Sequence, residues 1–441
     1  MSLPETLLSR LHSLPAAEPE WLTDKRRQGA ARFEEVGFPT RRLEEWKYTD
    51  MSGLSSADFG QVESPELDRA LHDALVLPID AWRMVFVDGY FSAEHSDLEA
   101  LPEGVSIVPL SKALADDSQA VGAQLGALTD VGFSAFAALN TALTGEGAVI
   151  RIGRGQTPEK PIYLLFVSRT HEAPVMCHPR ILVQCERESE ATVIEHYAGE
   201  QGASNLTNVM TEIDMAEAAR LSHYKLQEAS QSEYHVASIQ VRQTRDTHFT
   251  SHNLNLGGAL VRNDLVTDLN EENATVDLLG LFFGQDRQHI DNHTKVNHNA
   301  PRTYSNENYK GILDGRARGV FNGRVYIKRD AQQVLGYQSN ANLLLSDRAE
   351  IDTKPELEIY ADDVQCSHGT TTGQLDENAI FALRARGIDR EMARGLLTLA
   401  FANEVMQRIR HTALTDRVER TVAGKLPERF NLESLVEETS T

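Results

Sequence analysis

Apolar and polar residues alternate with a period of two through the middle of the chain, from about residue 79 to residue 373. Side chains two residues apart lie on the same face of a β-strand, so this alternation predicts strands with one buried face. Short polar turns separate the segments, which is typical of a large all-β unit. Representative segments are 84–87, 191–197, 220–226, 235–241 and 323–327.

The alternation alone leaves a sandwich, a barrel and a parallel β-helix open. Hairpin signals such as Asn-Gly are scarce, and residues 260–281 keep strand patterning while carrying many small and polar residues. Stacked coils of a β-helix produce this texture, because every alternate position points inward. No repeat of fixed length is visible, so the pattern does not choose between the three. A single helical insert is predicted at residues 133–143.

The first stretch, about residues 1–78, follows a helical pattern instead. Apolar residues recur at helical spacing within residues 3–11, and residues 21–36 are rich in charged, helix-permissive side chains. Pro15, Pro19 and Pro39 punctuate the helical pattern.

The last stretch, about residues 374–441, is again helical. Residues 378–386 are followed by Gly387, which suits the left-handed conformation that often ends a helix. Asp389 is placed to cap the next helix, which carries an apolar stripe. The acidic tail at residues 432–441 is expected to fray.

Composition and charge narrow the classes of function. The 441 residues carry a formal net charge of −22, which argues against nucleic acid as a partner, since phosphate binding needs a cationic surface. No run of 18 apolar residues is present, so we expect no membrane partner. The first residues have no apolar core of the signal-peptide type and include Glu5 and Glu18, which favours a cytoplasmic location.

Cysteine is sparse: the chain holds Cys177, Cys185 and Cys366. An odd number without Cys-x-x-Cys spacing fits a reducing compartment and leaves the chain short of the thiolates that hold an iron–sulfur cluster. No phosphate-binding loop, dinucleotide fingerprint or serine-nucleophile motif is found. Any ATP hydrolysis is therefore expected from another subunit.

Cys366 and His368 form the clearest chemical motif. Two positions apart on a strand, they would share one face, and thiolate and imidazole are good ligands for iron or zinc. Asp362 and Asp363 would add oxygen donors nearby. The plainer alternative is a buried cysteine and a hydrogen-bonded histidine. A cysteine-protease pair is disfavoured, since its two partners usually come from separate segments.

A second group comprises His289, His293 and His298. On a helix, His289 and His293 could bind zinc together. The surrounding sequence is polar and strand-like, however, and on a strand His289, Asp291 and His293 align on one face. A hydrogen-bonded polar ladder is the favoured interpretation.

Two long motifs resemble the SufB/SufD family. One spans residues 309–325 (YKGILDG, then GVFNGRV) and the other residues 355–369 (PELEIYADDVQCSHG). Residues 381–388 (FALRARGI) and 42–49 (RLEEWKYT) continue the likeness. The SufD branch is the closer match, because the chain has few cysteines and carries Gly369 where SufB tends to have glutamate.

This resemblance implies a mainly β fold, a right-handed parallel β-helix flanked by helical ends. It implies a non-catalytic scaffold that assembles with SufB and two copies of the ATPase SufC. Whether the chain forms a homodimer when SufB is absent stays open from the sequence. No tightly bound cofactor is expected, and a transient iron–sulfur cluster would form at the interface with SufB. His368 matches the histidine of SufD that contributes there, whereas the role of Cys366 in the same motif is less defined.

The resemblance also places SufC on the C-terminal helices. Basic residues beside an apolar stripe suit a helix docked in a partner's groove, although such a stripe also suits core packing. The candidate contact residues are Arg384, Arg386, Gly387, Met392, Leu396 and Phe401. Two other classes stay open: a structural subunit in which His368 has no ligand role, and a polysaccharide-acting β-helix enzyme.

Overall fold

The computed structural model describes residues 18–426, except residues 56, 58, 61, 63 and 64. The helical pattern at residues 3–11 and the acidic tail at residues 432–441 lie outside these residues. Two largely parallel sheets face each other and form a β-solenoid of about eight turns. The parallel β-helix, one of the three architectures that the alternation left open, is therefore confirmed.

Sheet one supplies one wall of the solenoid, and its strands are parallel except for the antiparallel pair at its start. In order across the sheet they are β2 (Tyr90–Asp97), β1 (Trp82–Val87), β5 (Ile162–Ser168), β8 (Glu190–Gly199), β10 (Arg220–Glu228), β12 (His248–Asn255), β14 (Thr275–Gly284), β16 (Tyr304–Leu313), β18 (Val334–Leu344) and β20 (Val364–Gly373).

Sheet two supplies the opposite wall and also begins with an antiparallel pair. Its strands are β3 (Val105–Pro109), β4 (Gly147–Ile152), β7 (Arg180–Cys185), β9 (Leu206–Met215), β11 (Tyr234–Gln243), β13 (Leu260–Leu269), β15 (His289–His298), β17 (Arg318–Ile327) and β19 (Glu350–Ile359), with the short β6 (Met176–Cys177) beside β9.

The coils differ in length, which explains why no fixed repeat is visible in the sequence. In sheet two, Tyr234 pairs with Leu260, 26 residues later, whereas Arg318 pairs with Glu350, 32 residues later. The turns absorb the difference, so the strands themselves stay in register.

Alternate residues of both sheets point into the lumen and form its core. Leu221, Phe249 and Val276 of sheet one, for example, occupy the same position on successive coils and are fully buried. Burial of such apolar columns is the main source of stability in a solenoid, because each coil buries its neighbours.

Helices from the N-terminal part cover the outer face of sheet two. Phe33, Trp46 and Phe136 pack in one cluster with Leu206 and Val236 of that sheet. The N-terminal helices are α1 (Glu20–Val36), α2 (Ser52–Ser55), α3 (Arg69–Leu75), α4 (Leu110–Gln124) and α5 (Ala135–Leu143), with a 3₁₀ turn at Glu44–Trp46. Of these, α3 packs instead on sheet one, where Leu75 shares an apolar cluster with Val85 and Val87. The predicted helical insert is thus present as α5.

The C-terminal helices cover the outer face of sheet one. They are α6 (Glu377–Arg384), α7 (Arg390–Met406) and α8 (Thr412–Gly424). Gly387 has φ +93° and the Asp389 carboxylate accepts from the amide of Met392 at 3.0 Å, so the predicted helix end and helix cap are both confirmed. Within residues 18–426, gaps aside, no helix has the length and hydropathy needed to span a bilayer.

The solenoid ends in an uncovered coil. β19 and β20 are the last strands of their sheets, and each pairs with a neighbour on one side only. Residues 367–373 of β20 are all exposed. Their free edges therefore present unpaired backbone donors and acceptors, and no further coil covers the lumen at this end.

Candidate functional site

Cys366 and His368 lie on β20, at the open end of the solenoid. They pair in register with Gly336 and Gln338 of β18, both of which are buried in the lumen. The side chains of Cys366 and His368 therefore share the lumen side of the strand, as the sequence spacing predicts. Cys366 is half-buried and His368 is exposed.

The Cys366 thiol is sheltered by the wall of the lumen. Its sulfur would lie 3.3 Å from a Cβ on Gly336, so the glycine leaves room for it. Burial raises the pKa of Cys366, and a hydrogen bond with the Gly336 backbone only partly offsets the rise. At neutral pH the group is a thiol, and it must lose its proton before it can act as a ligand. The apolar residues around it are Val325, Ile327, Ala331 and Val334.

The oxygen donors expected from Asp362 and Asp363 do not join this pair, so that prediction is wrong. Both residues lie in the turn before β20. Asp362 Oδ1 accepts from Gln332 Nε2 at 2.9 Å, and the Asp363 amide donates to Gln332 Oε1 at 2.9 Å. They tie the turn to the preceding coil. In the described part of the chain, no group of three or more His, Cys, Asp or Glu residues could hold a metal ion.

A polar column leads from His368 into the lumen. His368 pairs with Gln338, and Gln338 pairs with Glu307 on the coil before it. Gln338 Nε2 donates to Glu307 Oε1 at 3.3 Å, and Thr294 donates to the other carboxyl oxygen. Burial raises the pKa of Glu307 to about 7, although both hydrogen bonds act in the opposite direction.

The polar ladder predicted for His289, Asp291 and His293 is confirmed on the outer face of β15. Thr49 donates to Asp291 and its oxygen lies 2.8 Å from His289 Nε2, while His293 Nε2 lies 3.0 Å from Asp291 Oδ1. Arg262 Nη1 donates to Asp291 at 2.7 Å. Burial alone would raise the pKa of Asp291, but Arg262 and His293 outweigh it and hold that pKa below its usual range.

The ladder is a docking site for the Trp-Lys-Tyr-Thr segment at residues 46–49. The Arg262 guanidinium carbon lies 4.5 Å from the centre of the Trp46 ring, which adds a cation–π contact to the Thr49 hydrogen bonds. His298 points the other way, into the lumen, where its ring nitrogens lie 2.7 Å from Thr303 Oγ1 and 2.9 Å from Ser305 Oγ. The three histidines therefore do not converge on a zinc site.

The six candidate partner residues fall into two groups. Arg384, Arg386 and Gly387 are exposed at the turn between α6 and α7. The other three are half-buried and pack against the apolar cluster that joins the helices to sheet one; they are Met392, Leu396 and Phe401. Their role in binding a partner stays a prediction.

The structure also identifies contacts that the sequence did not indicate. Lys310 on the outer face of β16 lies 4.3 Å from the centre of the Phe401 ring and 2.5 Å from Glu404 Oε2. One buried lysine therefore anchors α7 to the solenoid. Phe381 on α6 is 71% exposed. An exposed phenylalanine beside Arg384 could only be located once the helix faces were known.

Comparison with protein-family models gives two matches that together cover most of the chain. The model described as "SUF system FeS cluster assembly, SufBD core domain" matches residues 166–401. The model described as "SufBD protein N-terminal region" matches residues 9–164. The core match alone covers more than half of the chain.

Curated relatives agree with these matches. The iron–sulfur cluster assembly protein SufD of Escherichia coli is 34% identical over 423 residues, which are 95% of this chain and 97% of that protein. An iron–sulfur cluster assembly SufBD family protein of Synechocystis is 34% identical over 415 residues, 92% of this chain and 91% of the relative. The chloroplastic protein ABCI7 of Arabidopsis thaliana is 28% identical over 396 residues, 88% and 83%.

Proposed function

The chain belongs to the SufBD family of the SUF system for iron–sulfur cluster assembly, and we propose that it acts there as a SufD-type scaffold subunit without catalytic activity of its own. In this role it lends His368 to an assembly site shared with a SufB-type partner. The cluster is the cargo of the site and passes on to other proteins. The proposed location is the cytoplasm.

The observation that carries this proposal is the position of His368 on an unpaired edge. Its imidazole is exposed on β20, the last strand of sheet one, at the C-terminal end of the solenoid, where β19 and β20 each pair with a neighbour on one side only. A second protein that docks on this edge would bring its own ligands within reach of the ring.

Sharing the site follows from the supply of ligands in this chain. Iron–sulfur clusters are usually held by four cysteine thiolates. Cys177 and Cys185 are buried in the solenoid, which leaves Cys366 and His368 at the open end. Two ligands are too few, so the remaining ones must come from a partner.

The surface around the open end suits a protein interface. Four of the exposed large apolar side chains lie on the last coils or at their ends; they are Leu335, Tyr337, Ile359 and Tyr360. Exposed apolar groups beside unpaired backbone edges mark association sites. The same surface would support a homodimer of this chain when the SufB-type partner is missing.

The turn between α6 and α7 is the proposed docking site for a SufC-type ATPase. Phe381 offers an exposed apolar anchor, and Arg384 and Arg386 surround it with positive charge on a chain that is otherwise acidic. Aromatic and arginine side chains are the groups that most often dominate binding energy at protein interfaces.

ATP binding at the partner would act on the open end through α7. Lys310 connects Phe401 and Glu404 of α7 to β16, two strands away from the strand that carries His368. Closure of two ATPase subunits would pull on this helix and shift the solenoid interface. Such coupling requires that ATP binds the closed assembly more tightly than the open one.

The test replaces His368 by alanine in the full chain, co-purified with SufB-type and SufC-type partners. We expect the complex to assemble normally and to lose most cluster formation, measured as bound iron and sulfide after anaerobic reconstitution. The matched control is His248→Ala, which removes another solvent-accessible imidazole, one that lies 3.3 Å from Asp277 on an earlier coil.

Unchanged iron and sulfide in the His368→Ala complex would remove the histidine from the mechanism and leave a purely structural subunit. Cys366→Ser, prepared in parallel, measures the contribution of the thiol. A loss of complex formation by His368→Ala alone would instead assign the ring to the interface itself.

A further inference from the structure

Two buried amides on β18 differ in one respect. Gln338 and Asn340 both point into the lumen and are almost fully buried. Asn340 has partners for both ends of its amide: Nδ2 donates to the Tyr309 carbonyl at 3.1 Å, and Oδ1 accepts from Thr353 at 2.9 Å. Gln338 uses only its nitrogen, and its Oε1 is buried without a hydrogen-bond partner.

The unpartnered oxygen lies in the column that ends at His368. In register, Gln338 stands next to His368, whereas Asn340 stands next to Thr370, a poor metal ligand. A buried amide oxygen without a hydrogen-bond partner destabilises the fold, so a donor for it is expected. Among the residues that the structure describes, the exposed ring of His368 forms no hydrogen bond, so an acceptor and a donor stand side by side and unused.

Glu307 fixes which way the amide faces. Its Oε1 accepts from Gln338 Nε2 and its other carboxyl oxygen accepts from Thr294, so the amide nitrogen is held by Glu307 and the amide oxygen is left for another donor. Gly323 on the opposite wall gives the amide its space, because a Cβ there would lie 2.0 Å from Gln338 Nε2. The side chain is therefore confined between two coils.

We infer that Gln338 is a positioning residue for His368: its Oε1 accepts the ring N–H that remains when the other ring nitrogen binds iron at the shared site, and Glu307 orients the amide. This inference rests on the proposed function. A histidine that binds a metal almost always donates its second nitrogen to a fixed acceptor, which sets the ring tautomer and orientation.

The test compares Gln338→Met with Asn340→Leu in the complete complex. Gln338→Met keeps a similar volume and removes the acceptor. Loss of such an outer contact typically costs about 10- to 100-fold in metal affinity or activity. We expect a loss of that size in the rate of cluster formation from ferrous iron and sulfide, with normal complex assembly, and a clearly smaller loss for Asn340→Leu.

A spectroscopic readout separates positioning from simple packing. With ¹⁵N-labelled histidine, the ring nitrogens of His368 in the loaded complex should show one tautomer with one hydrogen-bonded N–H. In Gln338→Met that signal should shift towards a solvent-exposed ring. Glu307→Gln, which frees the amide to turn over, should give an intermediate shift, and it serves in place of Gln338→Met if that variant does not fold.

The two proposals fail in different ways. If His368→Ala retains cluster formation, the proposed function is wrong. If His368→Ala loses cluster formation while Gln338→Met forms clusters at the normal rate with an unchanged ring signal, only the positioning role is overturned. Equal losses for Gln338→Met and Asn340→Leu, again with an unchanged ring signal, would also overturn it.

Discussion

The carboxylate of Glu228, at the end of β10, receives the guanidinium of Arg417 from α8, with 2.6 Å between Arg417 Nη2 and Glu228 Oε1. The same carboxylate lies 2.8 Å from His196 Nε2 on β8. Burial alone would raise the pKa of Glu228, but the hydrogen bonds from His196 and Arg417 outweigh it and lower the pKa to about 2. The buried carboxylate thus joins α8 to two coils of the solenoid.

Arg417→Met should loosen the C-terminal helices. The substitution removes the guanidinium that pairs with the buried Glu228 carboxylate. Loss of a hydrogen bond to a charged group lowers the free energy of unfolding by about 2–3 kcal/mol. Urea unfolding would measure the change, and limited proteolysis would detect early cleavage near α8. Arg420→Met is the control, because Arg420 is exposed and donates to the Asp416 carbonyl of its own helix. Equal effects of both substitutions would contradict the anchoring role.

Glu307→Gln should change how stability depends on pH. Glu307 keeps its proton up to about pH 7 in the folded chain, against 4.5 as the usual value. The stability that it contributes is complete below pH 4.5 and is lost as the pH rises through 7, by at most about 3 kcal/mol. Relative to the wild type, the variant should gain this amount between pH 5 and pH 8. Urea unfolding of both proteins at pH 5 and at pH 8 measures the difference in their free energies of unfolding. A difference that is the same at the two pH values would refute the prediction.

Gly280→Ala should destabilise the solenoid strongly. A Cβ at this position would lie 2.1 Å from Tyr309 Cδ1, inside the lumen, so the ring would have to leave its place against Phe321. Such overpacking typically costs about 1–3 kcal/mol. Gly373→Ala is the matched control, since nothing lies within 4 Å of its added carbon. In thermal unfolding, we expect a lower midpoint temperature for Gly280→Ala and an unchanged midpoint for Gly373→Ala.

Tyr360→Lys should weaken association at the open end. Tyr360 is 58% exposed beside the free edge of β19, and central tyrosines often dominate interface energies. We expect about a tenfold loss of affinity for a SufB-type partner, equal to about 1.4 kcal/mol. Sedimentation velocity would measure it, both with the partner and for the isolated chain. Tyr90→Lys, which changes an exposed tyrosine of β2 at the opposite end of sheet one, should have no effect.

The sequence predicts the strands well because alternation reports burial directly. Residues 220–226, for example, fall inside β10, and 323–327 inside β17. It does not predict how the strands stack, because coil lengths vary and several lumen positions hold polar residues such as Asn340 and Glu307. Only the family motifs favoured the β-helix.

The candidate site is predictable only where its parts are close in sequence. Cys366 and His368 are two residues apart, so alternation alone places them together. Gln338 and Glu307 belong to earlier coils and join His368 only through strand register. The prediction for Asp362 and Asp363 was wrong because the strand begins just after them, so the alternation of its side chains does not extend to these two residues.

The apolar stripe on the C-terminal helices shows a further limit. Met392, Leu396 and Phe401 have the pattern of a docking surface, and hydrophobic spacing cannot distinguish a partner from the chain's own core. Their half-burial against sheet one shows that part of the stripe serves the fold. The exposed Phe381 is the better anchor for a partner.

Because its last coil is uncovered, the resistance of this chain to proteolysis depends on whether a partner subunit is bound there. A solenoid coil is stabilised by its neighbours, and the coil of β19 and β20 has a neighbour on one side only. A bound subunit supplies the missing support by mass action, whereas surplus copies keep a terminal coil that opens easily and admits proteases. The cell would then match subunit numbers by degrading the excess, without having to balance synthesis.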